Sequence, residues 1–125
     1  MKTAITSKHA PTPIGPYSQA ILQNNTLYIS GQLPYNVAED FIINTDYSMA
    51  TKQVMENIET ILHEADMDFS DVCMCSIFLK DITKFEDVNA VYFNFVDTPF
   101  PARQVIEVSA LPMNAIIEIS VIAQK

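Results

Sequence analysis

The chain has no tryptophan and, among 125 residues, only two glycines, two cysteines, two histidines and seven lysines or arginines. Each scarcity excludes something. Seven basic against fifteen acidic side chains leave a formal net charge of −8. That balance disfavours a nucleic-acid partner, whose binding rests on neutralising phosphates with Lys and Arg. His9 falls in the N-terminal segment and His63 on the outer side of a predicted helix, so no histidine pair is available for acid–base or metal chemistry. Cys73 and Cys75, two apart on a predicted strand, should face one side, which is poor disulfide geometry, and no His or Cys partner completes a zinc site. They read as buried structural thiols in a reducing compartment. No apolar run reaches the roughly 18 residues of a membrane span, and Met1 to Thr6 lacks the apolar stretch of a secretory signal. The expectation is a soluble cytoplasmic protein without membrane contact. Glycine-rich phosphate loops, internal repeats and catalytic-triad signatures are also missing, and with glycine so rare, Gly15 and Gly31 each mark a backbone need.

What is present is material for a core: 49% of residues are hydrophobic, enough for one packed domain over 1–125. Thr3 to Ser7 reads as a short edge strand. Pro11 to Tyr17, with three prolines and a glycine, can only be a stiff irregular loop, presenting Tyr17 either as a packing residue or as a wall beside a ligand. Ala20–Gln23 and Thr26–Ser30 flank Asn24-Asn25, a pair suited to a two-residue hairpin turn. The second strand runs into Ser30-Gly31, where glycine marks either a bulge or a close backbone approach to a ligand. From about Asn44 to Ala65, Ala50, Val54, Ile58, Ile61 and Ala65 recur at helical spacing, with Lys52, Glu56, Glu59 and His63 outside.

Val72 to Leu79 is nearly continuously apolar, as in a central strand covered on both faces. Thr83 and Glu86 make a capping-box pattern for a second helix whose stripe of Phe85, Val88, Tyr92 and Phe95 reads as core. Asn89 interrupts that stripe, serving either buried backbone or a pocket. After Pro99 and Pro101 a strand should begin near Ala102, setting Arg103 at its entrance on the face of Val105 and Glu107. Four residues along a strand span about 13 Å, so Glu107 is badly placed to neutralise Arg103. A structural carboxylate or a ligand's carboxylate must serve instead. In the last strand, Ala115 to Ala123, Glu118 stands among Ile116, Ser120 and Ile122, a costly position for an unpaired carboxylate. If 102–108 and 115–123 pair as a hairpin around Leu111-Pro112, Glu118 falls opposite Arg103 to Val105, and the pair could be architecture or site.

Ile14-Gly15-Pro16-Tyr17-Ser18-Gln19-Ala20, Ile29-Ser30-Gly31-Gln32-Leu33-Pro34, Val88-Asn89, Phe100-Pro101-Ala102-Arg103 and Leu111-Pro112 followed by Ile117-Glu118-Ile119 stand in one order. Together, from about Ala10 to Ala123, they closely resemble the RidA (YjgF/YER057c/UK114) family of reactive intermediate imine deaminases. The resemblance implies a chorismate-mutase-like α+β fold, a mixed sheet with two helices on one face, assembled as a homotrimer with ligand clefts between subunits. It implies that Arg103 grips a substrate carboxylate, that Glu118 positions the attacking water, and that Tyr17, Ser30, Gly31 and Asn89 line the cleft, with Val105 contributing mainly backbone. The implied ligand is a small 2-imino or 2-keto acid, and no metal or organic cofactor is called for. Two departures stand out: Asn36 to Asp46 lacks the glycine that relatives use in a turn, and Asp66 replaces a common glycine after the first helix. A non-catalytic ligand-sensing module and an endoribonuclease or translation inhibitor are the alternatives to the deaminase.

Overall fold

A computed structural model describes residues 1–125. Its strands are β1 (Thr3–Ile5), β2 (Ala20–Gln23), β3 (Thr26–Gln32), β4 (Tyr35–Asn36), β5 (Phe41–Ile42), β6 (Val72–Leu79), β7 (Ala102–Glu107) and β8 (Ile117–Gln124). Its helices are α1 (Tyr47–Glu64) and α2 (Phe85–Tyr92). Six strands form one sheet in the order β1-β2-β3-β8-β6-β7, antiparallel except for the parallel β6–β7 pair, while β4 and β5 form a separate ribbon. The fold is α+β, with a mixed sheet and two helices. No helix is long and apolar enough to cross a membrane.

The core lies between the helices and one face of the sheet. Ile117, Ile119, Val121 and Ala123 of β8 alternate inward and meet Val54, Ile58 and Ile61 of α1, all buried. Each such aliphatic side chain contributes about 1.5–3 kcal/mol of hydrophobic stabilisation. Asp46 caps α1 by accepting from the Met49 N–H at 3.0 Å. At the other end Asp66 adopts φ +57° and its N–H donates to His63 O at 3.0 Å, so the departure from glycine there is a C-terminal cap variation. Asn24 and Asn25 take φ of 51° and 68° and close the β2–β3 hairpin as their sequence implies.

Four sequence expectations fail. The hairpin between 102–108 and 115–123 does not form: β6 lies between β7 and β8, paired in parallel with the first and antiparallel with the second. Within the single chain β6 is covered on one face only, since Cys75, Ile77 and Leu79 are buried whereas Met74, Ser76 and Phe78 are half-buried. Cys73 and Cys75 do not share a side, since the register shifts between Val72 and Met74, leaving Cys73 exposed and Cys75 buried, both as free thiols. The Thr83–Glu86 capping box also gives way. Asp81 accepts from both the N–H and the hydroxyl of Thr83, at 3.0 and 2.6 Å, and winds 82–84 into a single turn of 3₁₀-helix, so α2 starts at Phe85 without a side-chain cap.

A left-handed backbone is strained for Asp66 and free for glycine. Asp66→Gly should therefore raise stability by about 0.5–1 kcal/mol, seen as a higher urea midpoint with unchanged m-value.

Candidate functional site

Glu118 is placed by β8 and by the bulge that faces it. Between Ile29 and Gln32 the β3–β8 register shifts, and there the Gly31 backbone closes on the carboxylate: a Cβ on Gly31 would lie 2.6 Å from Glu118 Oε2. The bulge reading of Gly31 is thus correct, and the close approach seen in the chain is to the Glu118 carboxylate. Glu118 is half-buried, and burial alone pushes its carboxyl above the usual value, with no cation to offset the effect. It opens into a cavity of about 580 Å³ shared with Tyr17, Gly31, Gln19, Leu33, Tyr35 and Met113. Gln19 ties the proline-rich loop to this wall, its amide accepting from Ser7 N–H at 2.8 Å and donating to Ser7 O and Pro11 O at 3.0 Å each. The segment without the common glycine forms the β4–β5 ribbon at the rim, where Asp40 takes the positive φ, +57°, that glycine would otherwise supply.

Arg103 lies elsewhere. It pairs across the parallel ladder with Cys75, while Glu118 pairs across the antiparallel ladder with Phe78. Cys75 and Phe78 are three residues apart on one strand and so point to opposite faces. Arg103 therefore looks to the helix side of the sheet and Glu118 to the open side, and the expected cross-strand ion pair does not exist within the chain. Arg103 borders a second cavity of about 630 Å³ with Asn89, Tyr92, Phe93 and Phe100. Its Nη1–H donates to Asn89 Oδ1 at 2.6 Å, which answers what Asn89 does in the apolar stripe.

Of the residues singled out in the sequence, the fold thus brings Tyr17, Gly31 and Glu118 together, and separately Asn89 and Arg103. Ser30 and Val105 line neither cavity. The Ser30 hydroxyl donates to Ser18 O at 2.7 Å, and Val105 stands opposite Ile77 and packs against the core. Sequence reasoning missed the ring contacts of Arg103: its guanidinium carbon lies 4.9 Å from the Tyr92 centroid and 5.4 Å from that of Phe85. The spacing of Phe85, Asn89 and Tyr92 on one helix face was the available signal.

The profile of the family described as Endoribonuclease L-PSP matches residues 7–125. The chain belongs to the RidA/YjgF family. A RutC family protein of Sulfurisphaera tokodaii is 47% identical over 125 residues, covering 100% of this chain and 99% of that protein. The 2-iminobutanoate/2-iminopropanoate deaminase of Bos taurus is 40% identical over 123 residues, covering 98% of this chain and 90% of the bovine protein. The crystal structure of a Rid family protein of unknown function from Yersinia pestis superposes with a TM-score of 0.96 at 40% identity, covering 100% of both chains.

The raised Glu118 pKa has a definite sign in stability. The folded state holds that proton more tightly than the unfolded chain, so wild type loses stability as pH rises from the ordinary value through the raised one. Glu118→Gln should match wild type in acid and exceed it at neutral pH, a gap readable from urea unfolding across the pH range.

Proposed function

We propose that this RidA-family protein is a 2-iminobutanoate/2-iminopropanoate deaminase. It hydrolyses enamine and imine intermediates released by pyridoxal-phosphate enzymes to 2-keto acids and ammonia, at clefts between the subunits of a homotrimer. The observation that carries this reading is the division of the candidate site. A positive fork with free donors borders one cavity, and a half-buried carboxylate against a glycine backbone borders another on the opposite face. Neither completes a site for a 2-imino acid, and juxtaposing two copies supplies both. The open face of the sheet, with Tyr28, Ile106 and Ile122 exposed on it, supports such an association. The deaminase name carried by the bovine relative supports the reaction.

In the joined cleft Arg103 takes the substrate carboxylate through its N–H fork, orienting the imine carbon toward the Glu118 of the neighbouring copy. Glu118, ionised, accepts a proton from water as the oxygen bonds to that carbon. Glu118 returns that proton to nitrogen, giving the tetrahedral amino alcohol, then takes the hydroxyl proton and delivers it to nitrogen as well, so that the C–N bond breaks with its electron pair on nitrogen, the C=O bond forms, and ammonia leaves the keto acid. An enamine enters after its β-carbon takes a proton from solvent and its nitrogen gives one up, which yields the imine. Tyr17, Leu33 and Met113 wall the Glu118 side and suit a short aliphatic side chain, with the β4–β5 ribbon setting its limit. The endoribonuclease alternative has the family description behind it, but the charge of −8 and the isolated His9 and His63 disfavour it. A ligand-sensing module would bind keto acids through Arg103 without turnover.

The test couples a threonine dehydratase to a spectroscopic trap for the released imine. Arg103→Ala and Glu118→Gln should each lower kcat/KM for imine hydrolysis by about 100-fold or more. Subunits of the two variants, refolded together, should recover activity in about one quarter of the sites, the statistical share in which an intact Arg103 meets an intact Glu118 from a neighbour. No recovery would sink the shared cleft, and no acceleration by wild type would sink the enzyme.

A further inference from the structure

Arg103 is a cation whose partners within the chain are all neutral. An amide oxygen takes one of its N–H groups, and two aromatic rings lie against its guanidinium. Phe85, Asn89 and Tyr92 follow one another at helical spacings of four and three, so one face of α2 provides the entire holder. The chemistry of that holder is selective. Ring faces attract a cation through their quadrupole, and an amide oxygen accepts a hydrogen bond, yet none of the three cancels the charge. A carboxylate at position 89 would grip the fork more firmly and neutralise it. The remaining guanidinium N–H groups are left for an incoming anion.

Tyr92 is itself fixed from behind. Its hydroxyl donates to Cys75 Sγ at 3.3 Å, and both residues are buried. Burial pushes the Cys75 thiol up, so it stays a neutral acceptor rather than a thiolate counter-ion for the neighbouring guanidinium. Cys75 also stands directly opposite Arg103 in the parallel ladder, so strand register and ring anchor are set at one point.

We propose that Phe85 and Tyr92 are positioning residues that hold the Arg103 fork in a fixed plane with its charge uncompensated, ready for a ligand carboxylate, and that the Cys75 thiol locks the Tyr92 ring in that role. This rests on the reading of Arg103 as a carboxylate clamp and extends it to the residues that prepare the clamp. The affected quantity is ligand capture: the rings touch neither the imine carbon nor the water.

The experiment measures the affinity of the full-length protein for 2-oxobutanoate by titration calorimetry, with imine-hydrolysis kinetics and melting temperature alongside, in Tyr92→Phe, Tyr92→Leu and Phe85→Leu. The leucine variants should bind about 3- to 30-fold more weakly and raise KM in proportion, with kcat changed much less. Tyr92→Phe, which keeps the ring but loses the hydroxyl that Cys75 holds, should fall between wild type and Tyr92→Leu. Phe85 is only half-buried, so Phe85→Leu remains informative if Tyr92→Leu does not fold. A lowered melting temperature with unchanged affinity in Phe85→Leu, or a loss in Tyr92→Phe equal to that in Tyr92→Leu, would overturn the proposal. Ring-dependent keto-acid binding without wild-type turnover would remove the deaminase and leave the holder standing. Absence of keto-acid binding by wild type would remove both.

Discussion

The parallel pairing of β7 with β6 is the constraint on which the candidate site depends. Parallel neighbours cannot be joined by a tight turn, so the chain must cross over between them, and residues 80–101 make that crossing with α2 inside it. The crossover lays α2 over the helix side of the sheet, next to the strand it has just connected. Arg103, near the start of that strand, thereby meets Phe85, Asn89 and Tyr92, all from the connecting helix. The arginine holder is a consequence of topology as much as of side-chain chemistry.

The same insertion of β6 separates Arg103 from Glu118. Had β7 and β8 formed a hairpin, the two charges would have met and neutralised each other as ordinary architecture. With β6 between them they address opposite faces, and each keeps its own character: the arginine unneutralised, the glutamate raised by burial. For the proposed chemistry this separation is useful. A clamp already paired with a carboxylate would have to surrender it before taking a substrate, and a glutamate stabilised by arginine would be a weaker base. In the proposed assembly two copies bring the groups to one ligand, whose own carboxylate occupies the arginine.

The Glu118 wall shows how local backbone serves that arrangement. Gly31 sits where the β3–β8 register slips and lets the main chain approach the carboxylate to a distance at which any side chain would collide. Gln19 fastens the proline-rich loop across the end of the sheet, so Tyr17 is presented by a tethered segment. Asp40 and Asp66 adopt left-handed conformations where glycine would be freer, and the turns close in the expected places regardless.

By itself the sequence determined what depends on short-range periodicity and turn chemistry. It settled the α1 stripe, the Asn24-Asn25 hairpin, the inward face of β8, the stiff loop before Tyr17, and, through motif order, the family. Those features follow from contacts between residues near one another in the chain, or from side-chain alternation that one segment displays alone. It did not determine strand order. An apolar run such as Val72 to Leu79 is compatible with several neighbours, and only the packing of the whole sheet placed β6 between β7 and β8. The exposure of Cys73, the loss of the Thr83–Glu86 capping box and the ring contacts of Arg103 share that origin. Each turns on a bulge, a competing Asp81 side chain or a crossover helix, whose effect appears only when distant segments meet. The opposite facing of Arg103 and Glu118 was likewise decided by tertiary structure, because a side chain's face is fixed by the strand beside it.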